Sequence, residues 1–151
     1  MVINALLILQ IQQLKLTQFK NYSSAVFDFD PQLNCIVGKN GIGKTNLLDA
    51  IHYLAMCKSH FSIADKNVIL HGKDFFRLEG HFSDKENKEV IVIKLPRGKR
   101  KVVERNAVPY KKLIQHIGLI PVVMIAPDDT KLATEGAELR RRFMDTAMAQ
   151  M

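Results

Sequence analysis

The stretch Gly38-Lys39-Asn40-Gly41-Ile42-Gly43-Lys44-Thr45 satisfies the pattern G-x-x-x-x-G-K-[ST], and nothing else in the chain restricts its fold so tightly. Glycines at this spacing let successive backbone N–H groups turn inward, where phosphate oxygens can approach without a Cβ in the way. A helix opening near Lys44 adds its unpaired N–H groups and the positive end of its dipole. In that geometry Lys44 bridges the β- and γ-phosphates of ATP, and the Thr45 hydroxyl is a ligand for Mg²⁺. The pattern carries this meaning only between a buried strand and a helix. Its flanks predict both. Leu33 to Val37 is a short continuous apolar run, as expected of a strand covered on both faces. Leu47, Leu48, Ile51, Leu54 and Ala55 recur on one stripe of a helix over Thr45 to Met56. The competing reading is a glycine turn with an incidental Lys-Thr.

The rest of the chain alternates strand and turn signals. Leu6 to Phe19 suits a strand, "FKNYSS" turns it, and Val26, Phe27 and Phe29 alternate with Asp28 and Asp30 up to Pro31. After a long connection with a short helical piece, "FFRLEGHF", "EVIVIKL" and "KRKVVER" predict three strands separated by the turn-forming "SDKENK" and "PRG", an antiparallel meander. "YKKLIQHIG" predicts a short helix ending at Gly118, "LIPVVMIA" a second buried strand, and "GAELRRRFMDTAMAQM" a helix without a stop signal. The segments group as strands, phosphate loop and first helix over 1–57, meander and short helix over 75–125, and an incomplete helical arm over 128–151.

A chain of 151 residues predicts one domain with a real core, and 22 Lys plus Arg against 15 Asp plus Glu, net +7, favour an anionic partner. The apolar start "MVINALLILQIQQ" has no basic n-region and no cleavage site, and no run approaches a membrane span, so the expectation is a cytoplasmic protein. Cys35 and Cys57 have no zinc-site neighbours and read as small buried side chains. The histidines His52, His60, His71, His81 and His116 show no metal spacing and read as packing or surface residues.

The variant "GKNGIGKTNLLDAI" is narrower than a generic phosphate loop and resembles the ABC-type ATPases of DNA maintenance: the RecF, SMC and Rad50 families. "LKLTQFKNY", Leu14 to Tyr22, is similar to their opening motif, with Gln18 where asparagine is usual. "FDPQLNCIVGKNGIGKTNLLDAIHYLAMCKSHF" and, far downstream, "VVMIAPDDTKLATEGAELRRRFMD" resemble the RecF family in particular. The resemblance implies an α/β P-loop NTPase of ABC/SMC-head type, with a mixed sheet and an attached antiparallel meander, truncated before its C-terminal half. It implies ATP and Mg²⁺ as ligands held by Gly38, Lys39, Asn40, Gly41, Ile42, Gly43, Lys44, Thr45 and Asn46, with Asn40 capping the phosphates and Lys20 reaching toward them. It further implies DNA repair, replication, recombination and SOS-response work at gapped DNA or single-strand/duplex junctions. Partners would be RecO, RecR and the RecA pathway, with an ATP-dependent homodimer in the full-length protein. Alternatives are an SMC- or Rad50-like head, or a truncated non-hydrolysing nucleotide- or DNA-binding module.

Hydrolysis requires more than a phosphate cradle: an acidic residue at a strand end and a group stabilising the γ-phosphate. In "PVVMIAPDD", Ala126 and Pro127 separate the apolar run from Asp128 and Asp129, which weighs against a Walker B strand. No L-S-x-G-[GQ] signature and no apolar strand ending in Asp-Glu occur. The chain is therefore expected to hold ATP and not to turn it over alone. Arg97, Lys99, Arg100, Lys101 and Arg105 form a basic stretch, with Lys111 and Lys112 close behind and Glu104 opposing it. Two readings stay open: a solvated strand edge, and a rim that contacts duplex phosphates. Arg140-Arg141-Arg142 spread over most of a helix circumference, so at most two face one partner.

Overall fold

The structure, a computed structural model, describes residues 9–61, 64–84, 87–130 and 136–150. Strand β1 (Gln10–Phe19) turns at Lys20 and Asn21 into β2 (Tyr22–Asp28). The phosphate-loop segment leads into α1 (Lys44–Met56), and β3 (Phe75–Ser83), β4 (Lys88–Pro96), β5 (Val102–Arg105) and the short β6 (Val108–Pro109) follow. A last helix, α2, spans Ala137–Met148. The six strands form one sheet in the order β2-β1-β3-β4-β5-β6, every described pairing antiparallel.

Alternation builds this sheet. Along β3, Phe76, Leu78, Gly80 and Phe82 point to the covered face and Arg77, Glu79 and His81 to the other. Register then places like with like: Leu78 lies opposite Leu16 of β1 and Ile93 of β4, and Ile93 opposite Val103 of β5. Helix α1 lies on the covered face and contributes Leu47, Ala50, Tyr53, Leu54 and Ala55 to the same core. Edge-to-face contacts among Phe19, Tyr53 and Phe76 join β1, α1 and β3 at centroid distances of 5.3–6.0 Å. On the opposite face Lys15, Arg77 and His81 converge on Glu79. Burial works to raise that carboxyl, but hydrogen bonds from the three side chains outweigh it and hold Glu79 at about 2.

Helix α1 meets the sheet most closely at Gly80. A Cβ there would stand 2.6 Å from the Phe82 ring and 2.7 Å from Leu54 Cδ1. Gly80→Ala is expected to destabilise the fold by about 1–3 kcal/mol through overpacking, read as a lower urea midpoint at unchanged slope.

Two predicted strands are not strands. Leu33 to Val37 is irregular, with Leu33 76% and Val37 85% exposed, and Cys35 is exposed with them. The run Leu119 to Ala126 is likewise irregular, with Val123 and Ile125 more than four-fifths exposed. Both carry the apolar content of a core strand, but among the described residues no neighbouring strand supplies ladder bonds to either. The short helix expected over Tyr110 to Gly118 is a 3-10 turn over Leu113–Gln115. Behind it His116 is fully buried, and its Nε2 donates to the Leu54 carbonyl of α1 at 2.6 Å. Cys57 is buried as expected, and burial pushes its thiol up to about 11.

Candidate functional site: the phosphate loop and its bracket

Gly43 opens α1 from the left-handed region, at φ 114°. No side chain caps the helix, and its first turn contains no acidic residue, so among the described residues no side chain competes for the N–H groups that a helix start leaves unpaired. Gly38 and Gly41 are also at positive φ, 149° and 82°. Only glycine takes up such a series of angles without strain. The result is an open cavity of about 290 Å³ lined by Asn40, Gly41, Gly43, Lys44, Thr45 and Asn46. A Cβ at Gly41 would touch nothing, which leaves the loop surface clear for a ligand.

The Lys44 ammonium donates to the carbonyls of Gly38 at 2.6 Å and Lys39 at 2.8 Å, so it lies across the mouth of the loop it belongs to. The Lys39 carbonyl also accepts from the Ile42 N–H, and a Cβ at Gly38 would stand 3.4 Å from the Ile42 side chain. A phosphate arriving at the helix start meets Lys44 already on the correct side, needing only to exchange two neutral carbonyls for a charged oxygen. Asn46 faces the other way, toward the first hairpin.

That hairpin is the part of the site that sequence reasoning missed. Asn21 donates from Nδ2 to the Ile42 carbonyl at 3.0 Å and accepts at Oδ1 from Asn46 Nδ2 at 2.8 Å. The Tyr22 hydroxyl donates to the Gly43 carbonyl at 3.1 Å, and burial raises its pKa, so it stays a donor. A Cβ on Gly43 would fall 2.6–2.8 Å from the Asn21 amide. Asn21 and Tyr22 thus bracket the carbonyls on which the loop turns into the helix. Both stood in the opening motif "LKLTQFKNY"; their role was invisible because it depends on the β1–β2 turn folding back over the loop. Asn21→Ala is expected to weaken ATP binding roughly tenfold, about 1.4 kcal/mol, while thermal stability barely changes. Equilibrium dialysis beside a thermal melt checks both halves.

Lys20, one residue earlier, is directed elsewhere. Its backbone is left-handed (φ 51°), its N–H donates to the Val68 carbonyl, and its ammonium pairs with Asp49 of α1 at 2.7 Å. Asp49 is fully buried and also accepts from Ser59 Oγ at 2.6 Å and the His60 N–H at 2.7 Å. One carboxylate therefore ties the bracket turn, the helix and the loop after the helix together. Asp129, half of the weak Walker B candidate, accepts from the Ala126 N–H within the 3-10 turn Pro127–Thr130.

The basic stretch is divided by the fold. Lys101 turns inward: its ammonium donates to the Cys57 carbonyl at the end of α1, pairs with Asp65 at 2.7 Å and lies 5.1 Å from the Tyr53 ring centre. Arg105 makes a two-pronged pair with Glu89 at 2.5 and 2.8 Å. Arg97 donates twice to the Lys73 carbonyl. Lys99 and Arg100 remain exposed at the β4–β5 turn.

A phosphate loop that opens a helix lying across a sheet, with the first hairpin folded over it, defines an α/β P-loop head of the ABC/SMC type. The chain belongs to the RecF/RecN/SMC N terminal domain family, whose model matches residues 10–111. It is 46% identical over 143 residues to the DNA replication and repair protein RecF of Flavobacterium johnsoniae, covering 95% of this chain and 40% of that protein. The chain thus spans about two-fifths of the length of the curated relatives it matches. Its fold is similar to that of the recombination mediator protein RecF with ATP, with a TM-score of 0.86 at 24% identity over 97% of this chain and 39% of that one. It is also similar to an SMC ATPase studied for ATP-driven dimerization, with a TM-score of 0.74 at 21% identity over 91% of this chain and 98% of that one. Among the described residues no helix is long and apolar enough to cross a membrane.

Proposed function

We propose that this chain is the ATP-holding part of a RecF-type DNA replication and repair ATPase. The observation that carries the reading is the start of α1: a left-handed Gly43, no cap, no first-turn acid, and Lys44 poised over the loop. The backbone from Gly38 to Thr45 wraps the triphosphate, Lys44 neutralises its far end, and Asn40 closes over it. The Thr45 hydroxyl would hold Mg²⁺ on this chain, and the ion would supply charge neutralisation of the phosphates. Lys20 reaches the phosphates only by giving up Asp49, a rearrangement that fits an ATP-dependent pairing of two heads.

In this reading ATP switches affinity for gapped or junction DNA, and the protein works in the cytoplasm with RecO and RecR in recombination and the SOS response, upstream of RecA loading. The 151 residues contain no signature motif and no strand-end Asp-Glu, so ATP is held without turnover. The test is duplex and junction binding with and without Mg·ATP, alongside steady-state phosphate release. A several-fold change in DNA affinity on adding ATP, with phosphate release no greater than in Lys44→Ala, is expected. DNA affinity indifferent to ATP contradicts the switch, and release well above the Lys44→Ala level contradicts the absence of turnover.

A further inference from the structure

The β5–β6 hairpin is held more firmly than a two-residue edge strand requires. Its connection is Asn106-Ala107, and both residues stand at positive φ, 51° and 65°, as in the tight hairpin turn that favours glycine at its second place. Ala107 takes that place without glycine's freedom, so the turn is strained. Strand β4 pins it. The Asn106 N–H donates to the Val90 carbonyl, its Oδ1 accepts from the Val90 N–H, and its Nδ2 donates to Glu89, each at 2.8 Å. Arg105 adds its two-pronged pair to the same carboxylate. Strain kept in place by surrounding bonds collects at functional sites.

Beside this turn is an apolar pocket of about 440 Å³, lined by Arg105, Val108, Pro109, Tyr110, Lys111 and Gln115. Val108 is 68% exposed and Pro109 is exposed with it, while Tyr110 is half-buried and packs its ring on His116 at 5.4 Å. The pocket thus has apolar walls with a firm backing, and its volume suits a small ligand or a partner's anchoring side chain. We propose that it docks a protein segment that inserts one large apolar side chain and carries acidic residues on either side of it. Nothing in this docking depends on the nucleotide site.

Charge on the rim selects the flanking residues. Glu89 neutralises Arg105, but Lys111 and Lys112 are exposed, and among the described residues neither ammonium has a carboxylate within ion-pair distance. The Lys112 N–H donates to Gln115 Oε1, so both lysines start from the mouth of the pocket. A net charge of +7 opposes a second copy of this chain as the occupant. Phosphates gain nothing from the walls formed by Val108 and Pro109, and the Tyr110 ring, packed on His116, is not free to stack a base. Addition of a strand to β6 is closed off as well. The Tyr110 N–H donates to the Val103 carbonyl at 2.9 Å, so alternation along the antiparallel pair turns the Pro109 backbone outward, and proline has no N–H to offer a new strand. Recognition falls to an apolar anchor in the pocket and to carboxylates at its rim.

The experiment measures anisotropy of a short labelled peptide with one phenylalanine flanked by aspartates. Control peptides replace the phenylalanine by alanine, or the aspartates by lysines. The parent chain is expected to bind the first peptide saturably and each control about tenfold more weakly. Val108→Asp and Lys111→Glu/Lys112→Glu should each weaken the first peptide about tenfold with an unchanged thermal melt, and the lysine pair should also flatten its salt dependence. Binding of the peptide by protein that takes up no ATP leaves the docking intact and supports it as a separate site. Absence of saturable peptide binding by the parent overturns the proposal, as does equal affinity for the alanine peptide or affinity that ignores both variants. A concentration-dependent dimer in sedimentation that Val108→Asp abolishes gives the pocket to a second copy and overturns the peptide assignment. Displacement of the peptide by duplex DNA at charge concentrations below that of polyglutamate gives the surface to nucleic acid and overturns it equally.

Discussion

Lys44→Ala is expected to weaken Mg·ATP binding by roughly 100-fold, about 3 kcal/mol, and to leave the melting temperature almost unchanged. The affinity loss follows from two charge-assisted contacts, to the β- and γ-oxygens, each contributing about 1.5–3 kcal/mol. Stability is spared because the bonds Lys44 makes to Gly38 and Lys39 lie in an exposed loop. Lys44→Arg should not restore binding. The guanidinium is a planar fork, and the space between the loop carbonyls and the helix start suits a compact ammonium. Displacement of a fluorescent ATP analogue, measured beside a thermal melt, checks both parts. A loss of affinity accompanied by an equal loss of stability would mean that the lysine is structural.

The second large effect concerns stability first. Asp49→Ala removes the acceptor shared by Lys20, Ser59 and the His60 N–H, and strands the mostly buried Lys20 ammonium. Removing one member of a buried ion pair costs about 3–5 kcal/mol. The β1–β2 turn is released at the same time, and with it the Asn21 and Tyr22 bonds to the phosphate loop, so ATP binding should weaken too. Pairing the change with Lys20→Met removes the stranded charge and should recover part of the stability. Additive losses in the double variant, seen by urea unfolding, would show that the two residues are not coupled.

The contrast between what the sequence makes legible and what it hides is physical. Strands β3, β4 and β5 could be read because alternation is local: each inward residue is apolar whatever lies across from it. Gly38 to Thr45 could be read because its backbone angles are written in glycines. Leu33 to Val37 and Leu119 to Ala126 were misread as buried strands because a continuous apolar run reports the need for cover, not its source; a strand requires a partner, and no described strand adjoins either run. Asp49 passed unnoticed as one more polar residue on an amphipathic helix, since its partners lie 10 residues ahead, at Ser59, and across the sheet turn, at Lys20. The basic stretch was legible as charge but not as geometry. Only the fold separates Lys101 and Arg105, neutralised within the protein, from Lys99 and Arg100, which face solvent.

Backbone amides at the start of α1 and the Lys44 ammonium together make the nucleotide site on which all these functional claims depend. A calorimetric titration of the folded protein with Mg·ATP tests it most directly. Saturable heat at one ATP per chain, absent with AMP, is the expected result; a flat trace with protein whose melt is cooperative would contradict it.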